Sequence, residues 1–195
     1  MKSYNTTLGL TCISAELKEK DKKKYSFRTM TRKRFNDLAK KDGRNKTIKE
    51  LSLRILHNAR TTKYIINHCG LNNILHYRLS SALFPLTDEQ TDVSLDDLPD
   101  LKSIKKQLLL ASKIAKKFNI SIGSHPDQFN VLASNNKDAV NRTINELNFQ
   151  ASVLGMLGLP QDHTAPMNIH INYTPQSDEP LEIVATRFFR NLSLC

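Results

Sequence analysis

Two histidines, His125 and His170, are the residues of this chain whose positions best suit metal chemistry. His125 follows the apolar run Ile120 to Ser124 in SIGSHPDQF, and His170 lies within the apolar run MNIHIN. If these runs form neighbouring parallel strands, about 4.8 Å apart, the two imidazoles could share one divalent metal ion or bind two adjacent ions. The alternative is that each histidine is an ordinary hydrogen-bonded core or surface residue.

The loop after His125 combines an amide and an aromatic ring behind a proline. Gln128 and Phe129 follow Pro126 in the motif HPDQF. An exposed ring beside an amide suits a wedge that enters a base stack, where the ring replaces a base and the amide contacts its displaced partner. The alternative is that Phe129 folds back as a lid on the next helix. Asp127 could bind a metal ion, hydrogen-bond the loop backbone, or have no chemical role.

The scaffold that must position these residues is predicted by an alternation of apolar runs and amphipathic segments. The predicted strands are Leu8 to Ser14, Ile74 to Ser80, Ile120 to Ser124 and Met167 to Asn172. The predicted helices run from Lys46 to Cys69, from Leu101 to Phe118, from about Ser134 to Gly158, and from Leu181 onward.

This order predicts an α/β fold in which right-handed crossovers join parallel strands. In such a sheet, side chains that follow the carboxyl ends of the strands collect at one rim, and this is where ligands bind. The unusual polar residues all fall at these places. They are Arg78 and Ser80 after the second strand, His125 after the third, and His170 on the fourth.

The charge balance of the chain favours a polyanionic partner. Twenty-nine Lys and Arg residues against nineteen Asp and Glu residues give a net charge of +10 and a pI near 9.6. Much of the excess lies in residues 15–46, which we interpret as a long basic loop with at most one short helix. This loop could face phosphates or form a solvated surface, and the net charge could serve solubility alone.

The chain length and the cysteine content indicate the number of domains and the redox compartment of the protein. Its 195 residues are enough for one well-packed domain, 1–195, and short for two. Three scattered cysteines without a CxxC pair indicate a reducing compartment. With no signal peptide and no apolar run near the length of a membrane span, we expect an intracellular, cytoplasmic and nucleoid-associated protein.

Three motifs, in this order and separated by helices of these lengths, resemble the UV damage endonuclease family. They are GLNNILHYRLSSALFP, SIGSHPDQFNVLAS and MNIHIN. LGLTCIS, the SFRTMT segment and Asn58 fit the opening region of the same family. The resemblance implies a TIM-barrel enzyme that hydrolyses the DNA backbone 5′ to ultraviolet photoproducts with divalent metal ions, commonly manganese, with magnesium or zinc as alternatives.

The resemblance also implies roles for individual residues. His125 and His170 match family metal ligands, and Gln128 and Phe129 match the pair that probes the duplex and fills the gap left by flipped bases. Arg78, Ser80 and Asn58 are the further residues expected to contact the DNA or the lesion. The expected partner is therefore duplex DNA that carries ultraviolet lesions.

The family's remaining metal ligands lie on strands that would follow Cys195. We therefore expect about four parallel βα units, roughly the N-terminal half of the family barrel, with the catalytic residues outside this chain and with metal positions that can stay unoccupied. A homodimer or a complementing C-terminal chain would complete the barrel. The alternative function is a non-catalytic DNA-binding remnant. A small-sugar enzyme of related fold is disfavoured by the net charge of +10 and by the HPDQF motif.

Overall fold

A parallel sheet of three short strands lies at the centre of the described structure. The computed structural model describes residues 7–87, 93–126, 130–171, 173 and 179–195. Within these residues the strands are β1 (Gly9–Thr11), β2 (His76–Arg78) and β3 (Ser121–Gly123), paired in the order β1-β2-β3. The register places Thr11 beside Arg78 and Arg78 beside Gly123. The predicted α/β class with parallel strands is confirmed.

Two long helices cover one face of this sheet. Helix α4 (Arg44–Leu71) precedes β2, and α5 (Leu101–Lys117) precedes β3. Side chains alternate between the two faces of a strand, so Tyr77 and Ile122, both fully buried, point to the helices. The opposite face of the sheet carries His76, Arg78, Ser121 and Gly123.

The predicted fourth strand is reduced to a single parallel bridge between Ser124 and Met167. The Ser124 N–H donates to the Pro166 carbonyl at 2.9 Å, and the Asn168 N–H donates to the Ser124 carbonyl at 3.1 Å. Pro166 has no N–H to donate, so pairing begins only at Met167. The end predicted for this strand, Asn172, lies outside the described residues.

The prediction of a long loop over residues 15–46 was wrong, because most of this segment is helical. Side-chain oxygens of Ser14, Asp21 and Thr31 each accept a backbone N–H of the first helical turn that follows them. Lysine and arginine are good helix formers, and these caps supply the start signals. The three helices are α1 (Ala15–Lys20), α2 (Lys22–Tyr25) and α3 (Arg32–Asp42).

Two further helices pack around a second, smaller apolar cluster. Asn136 caps α6 (Lys137–Met156) by accepting from two backbone N–H groups, and α7 (Leu181–Leu192) follows later in the chain. None of the helices in the described residues has both the length and the apolar composition of a membrane span. The second cluster contains Leu132, Ala133, Leu147, Val184 and Phe188.

Gly70, near the end of α4, packs against the ring of Phe118 at the end of α5. A Cβ atom on Gly70 would lie 2.3 Å from Cγ and Cδ2 of that ring. We expect Gly70→Ala to lower the free energy of unfolding by about 1–2 kcal/mol, since overpacking exceeds the gain in helix propensity. Urea denaturation followed by circular dichroism measures the change.

Gly155→Ala is the matched control for this prediction. Gly155 also lies in a helix, α6, but a Cβ atom there would meet no atom within 4 Å. This variant is expected to be neutral or more stable by up to about 1 kcal/mol. Equal stability of the two variants would contradict the packing argument.

Candidate metal and nucleic-acid site

The structure brings His125 and His170 together beyond the carboxyl end of β3. Their ring centroids lie 4.6 Å apart, with the ring planes at 72°. Alternation along β3 places Gly123 on the face opposite the buried Ile122, and His125 follows two residues later. The expected proximity of the two imidazoles is confirmed, and their role in metal binding stays a prediction.

One hydrogen bond fixes which nitrogen of His125 is available. Nδ1 of His125 lies 2.9 Å from the carbonyl oxygen of Pro126. A carbonyl can only accept, so Nδ1 carries the hydrogen and, in the neutral ring, Nε2 keeps its lone pair. A backbone carbonyl that holds Nδ1–H in this way is the usual support of a metal-binding histidine.

The described residues provide two candidate metal ligands at this place, one imidazole nitrogen from each histidine. Imidazole nitrogens bind zinc, copper, iron and nickel well, whereas manganese and magnesium prefer carboxylate oxygens. Across the ranges that the structure describes, no group of three or more His, Cys, Asp or Glu residues is arranged to hold a metal ion. His125 and His170 can therefore form part of a metal site, and further ligands would have to come from elsewhere.

Arg78 lies beside Gly123 in the sheet, two residues before His125. Its side chain is half-buried, and its Nε atom is itself buried without a hydrogen-bond partner among the described residues. The position at the carboxyl end of β2 agrees with the prediction. Such an arginine adds positive charge near the histidine pair and suits an anion such as phosphate.

Ser80 has a local structural role. Its hydroxyl oxygen accepts the backbone N–H of Ala82 at 3.2 Å and so begins a short 3₁₀ helix, Ser81–Leu83. The hydroxyl hydrogen is free to take a second partner. The structure therefore leaves the Ser80 hydroxyl able to contact a ligand at the rim, through its hydrogen or its second lone pair, while it caps this turn.

Asn58 does not reach the surface where a ligand would bind. It is 0% exposed, and its side-chain oxygen accepts the Arg28 N–H at 2.7 Å. Its amide nitrogen donates to the Arg28 carbonyl at 3.0 Å and to the Ala82 carbonyl at 2.8 Å, with the Leu83 carbonyl at 3.3 Å. The side chain that the resemblance places in contact with DNA instead joins two backbone segments below that surface.

Gln128 and Phe129, the predicted wedge, lie outside the described residues, as does Asp127.

A polar cluster that the sequence analysis missed fastens the chain just after His170. The Tyr173 hydroxyl donates to Glu179 at 2.8 Å, and Arg187 of α7 forms an ion pair with the same carboxylate. The Arg187 guanidinium also lies 5.3 Å from the centre of the Tyr173 ring. The hydrogen bond from Tyr173, followed by the contact with Arg187, lowers the pKa of Glu179. No sequence spacing signals this cluster, because its members come from separate turns of the chain.

Comparison with known proteins finds one matching family model and several similar proteins. The model of the family described as UV-endonuclease UvdE matches residues 6–192. A UV DNA damage endonuclease from Nostoc sp. is 32% identical over 184 residues, which are 94% of this chain and 53% of that protein. The corresponding protein from Deinococcus radiodurans is 26% identical over 178 residues, 91% of this chain and 53% of that protein.

A solved structure, "Crystal Structure of SacUVDE", superimposes with a TM-score of 0.71 at 20% identity. The superposition covers 97% of this chain and 56% of the other chain. At this level of identity, the match shows a shared fold. The chain therefore spans about half the length of the curated relatives and of the solved structure that it matches.

Proposed function

This chain belongs to the UV-endonuclease UvdE family, and we propose that it takes part in metal-dependent cleavage of the DNA backbone next to ultraviolet photoproducts. The observation that carries the proposal is the pair of imidazoles, 4.6 Å apart, at the carboxyl rim of a parallel sheet. The names of the relatives state an action on damaged DNA, and the net charge of +10 suits a nucleic-acid partner.

His125 and His170 are the residues that would hold a divalent metal ion. Such an ion, when bound, supplies an activated water or hydroxide and stabilises charge on the phosphate. The Pro126 carbonyl keeps Nδ1 of His125 protonated and orients its Nε2 as the ligand atom. Manganese is expected from the family, and zinc is the alternative that a pair of imidazoles favours.

Arg78 would hold the DNA phosphate at the same rim. Its half-buried side chain and its place beside Gly123, two residues before His125, support this role. Ser80 would donate its hydroxyl hydrogen to the DNA backbone. Asn58 would act indirectly, by holding the loops of the rim in place. Gln128 and Phe129 would enter the duplex, as the HPDQF motif predicts.

The scaffold that we propose is part of a TIM barrel with about four parallel βα units. Three parallel strands in sequential order, and a parallel bridge from Ser124 to Met167 in the next position, support this arrangement. A homodimer or a complementing chain would supply the other strands of such a barrel.

The second candidate is a DNA-binding protein without nuclease activity. The observation that favours it is that, in the part of the chain that the structure describes, only a pair of imidazoles and no third ligand is assembled. Phosphodiester hydrolysis by metal ions needs a firmly held ion and an oriented water. A protein with an incomplete set of metal ligands would therefore bind DNA and leave it intact.

Nicking of supercoiled plasmid separates the two candidates. We expect nicks only in ultraviolet-irradiated plasmid, only with added manganese or zinc, and none with His125→Ala. Gel-shift binding to the same plasmid is measured in parallel. If the protein binds the plasmid without nicking it, and His125→Ala binds equally well, the non-catalytic DNA-binding function would be supported instead.

A further inference from the structure

The backbone of residues 24–29, which we call the 24–29 strap, is fastened along one face of α4. The side chains that hold it are spaced as i, i+3, i+4 and i+7, the spacing of residues on one helical face. Each of them bonds a backbone atom of the strap. They are Arg54, His57, Asn58 and Thr61.

The centre of the strap is held most completely. Asn58 accepts the N–H of Arg28 at 2.7 Å and donates to the carbonyl of the same residue at 3.0 Å. Both backbone groups of Arg28 are therefore bonded to one fully buried side chain. A buried two-point bond of this kind fixes the direction in which the Arg28 side chain leaves the backbone.

The neighbouring positions are held in the same way. Nη1 of Arg54 donates to the Thr29 carbonyl at 2.7 Å, and Nε2 of His57 lies 3.0 Å from the Ser26 carbonyl, to which it donates. Arg54 is itself oriented by Glu50, which lies one turn earlier on α4. The strap therefore has little freedom to move away from the helix.

All these bonds use the backbone of the strap, and the Arg28 side chain is exposed. It forms no ion pair with any carboxylate in the described ranges. Some cations of the basic segment are engaged locally, as Lys20 is with Glu16 and Lys46 with Asp42. Arg28 is thus a cation on a rigid support with its charge available to a partner.

The strap also lies next to the rim that carries the candidate site. The amide nitrogen of Asn58 that bonds the Arg28 carbonyl also donates to the Ala82 carbonyl at 2.8 Å. Ala82 belongs to the turn that directly follows β2, at whose end Arg78 stands. One buried amide therefore sets the position of Arg28 relative to the carboxyl end of the sheet.

We infer that the 24–29 strap is a preorganised anchor for a DNA phosphate, with Arg28 as the contacting cation. The inference rests on the proposed function and adds a phosphate contact outside the histidine pair. A guanidinium can bond two oxygens of one phosphate, and a support already ordered before binding lowers the entropy cost of that contact. Such a contact positions the duplex on the rim without reading its sequence.

Salt dependence of DNA binding tests this contact directly. Fluorescence anisotropy of a labelled duplex is measured over a range of NaCl concentrations, in EDTA so that no metal ion contributes. Arg28→Ala is expected to reduce the slope of log K against log salt by about 1 and to weaken binding roughly 5- to 10-fold at 0.1 M salt. Arg28→Lys is expected to restore most of the slope, because the charge is kept.

The matched control is Lys105→Ala, which removes an exposed cation from α5, next to the buried Ile104 in sequence and so on the outer side of that helix. Its slope is expected to equal that of the unchanged protein. An unchanged slope in Arg28→Ala, or an equal loss in Lys105→Ala, would overturn the anchor and leave DNA binding itself intact. Absence of any duplex binding by the unchanged protein would overturn the proposed function as well.

Discussion

Replacing Asn58 by alanine is expected to lower the free energy of unfolding by about 2–4 kcal/mol. The residue is 0% exposed, and its side chain bonds the N–H and carbonyl of Arg28 and the carbonyls of Ala82 and Leu83. Alanine would leave these backbone groups without their side-chain partner, in partly buried surroundings at Arg28 and Ala82 and in buried surroundings at Leu83. Each unsatisfied buried group costs about 1–3 kcal/mol, and partial relaxation of the exposed strap reduces the total.

Urea denaturation, followed by circular dichroism, measures this change. Asn141→Ala is the control, since Asn141 is an exposed position on α6 and its replacement is expected to stay within about 0.5 kcal/mol of the unchanged protein. An Asn58→Ala variant as stable as the control would show that the bonds of Asn58 contribute nothing net. The strap would then not be held as the structure describes.

Replacing His125 by alanine is expected to weaken binding of a divalent metal ion by at least about 10-fold. Isothermal titration calorimetry with manganese and with zinc, on the full chain, measures this change without relying on nuclease activity. The physical reason is the distance of 4.6 Å between the two rings, which allows both imidazoles to approach one ion. Zinc is expected to bind more tightly than manganese, because the described ligands are nitrogen atoms.

His170→Ala should have the same effect, and the double variant should be little worse than either single variant. Two ligands of one ion form a single unit, so their losses do not add. His163→Ala, at an exposed histidine, is the control and should leave metal affinity unchanged. Losses that add fully in the double variant would indicate two separate ions, and no loss in either single variant would exclude this pair as ligands.

The order of strands and helices could be predicted from local pattern. The apolar face that runs through Ile104, Leu108 and Ala111 was visible as a 3.6-residue repeat, and those side chains are buried in α5. A repeat of this kind reports which face is buried, because each residue's face follows from its position in the helix. Strand ends were predicted less well: β1 stops at Thr11, because Cys12 takes a φ of 62° and turns the chain.

Part of the candidate site could also be predicted from the sequence pattern. Parallel strands bring their carboxyl ends to one rim, so the proximity of His125 and His170 followed from strand order. The tautomer of His125 did not follow, because it depends on a hydrogen bond to the Pro126 carbonyl that only the loop geometry provides. The cluster of Tyr173, Glu179 and Arg187 was likewise invisible, since its members meet only when α7 packs against the preceding segment.

Taken by itself, the sequence determined the α/β class, the parallel order and the rim where polar residues gather, because hydrophobic periodicity and short connections act over neighbouring residues. The structure corrected the interpretation of residues 15–46, where the charge outweighed local capping signals that the sequence already contained. Their charge suggested a loop, whereas capping by Ser14 and Thr31 and burial of Phe35 made helices of most of the segment. Only the tertiary structure decided that Asn58 is an internal support and Arg28 an exposed cation, because hydrogen bonds between segments some thirty residues apart leave no local trace.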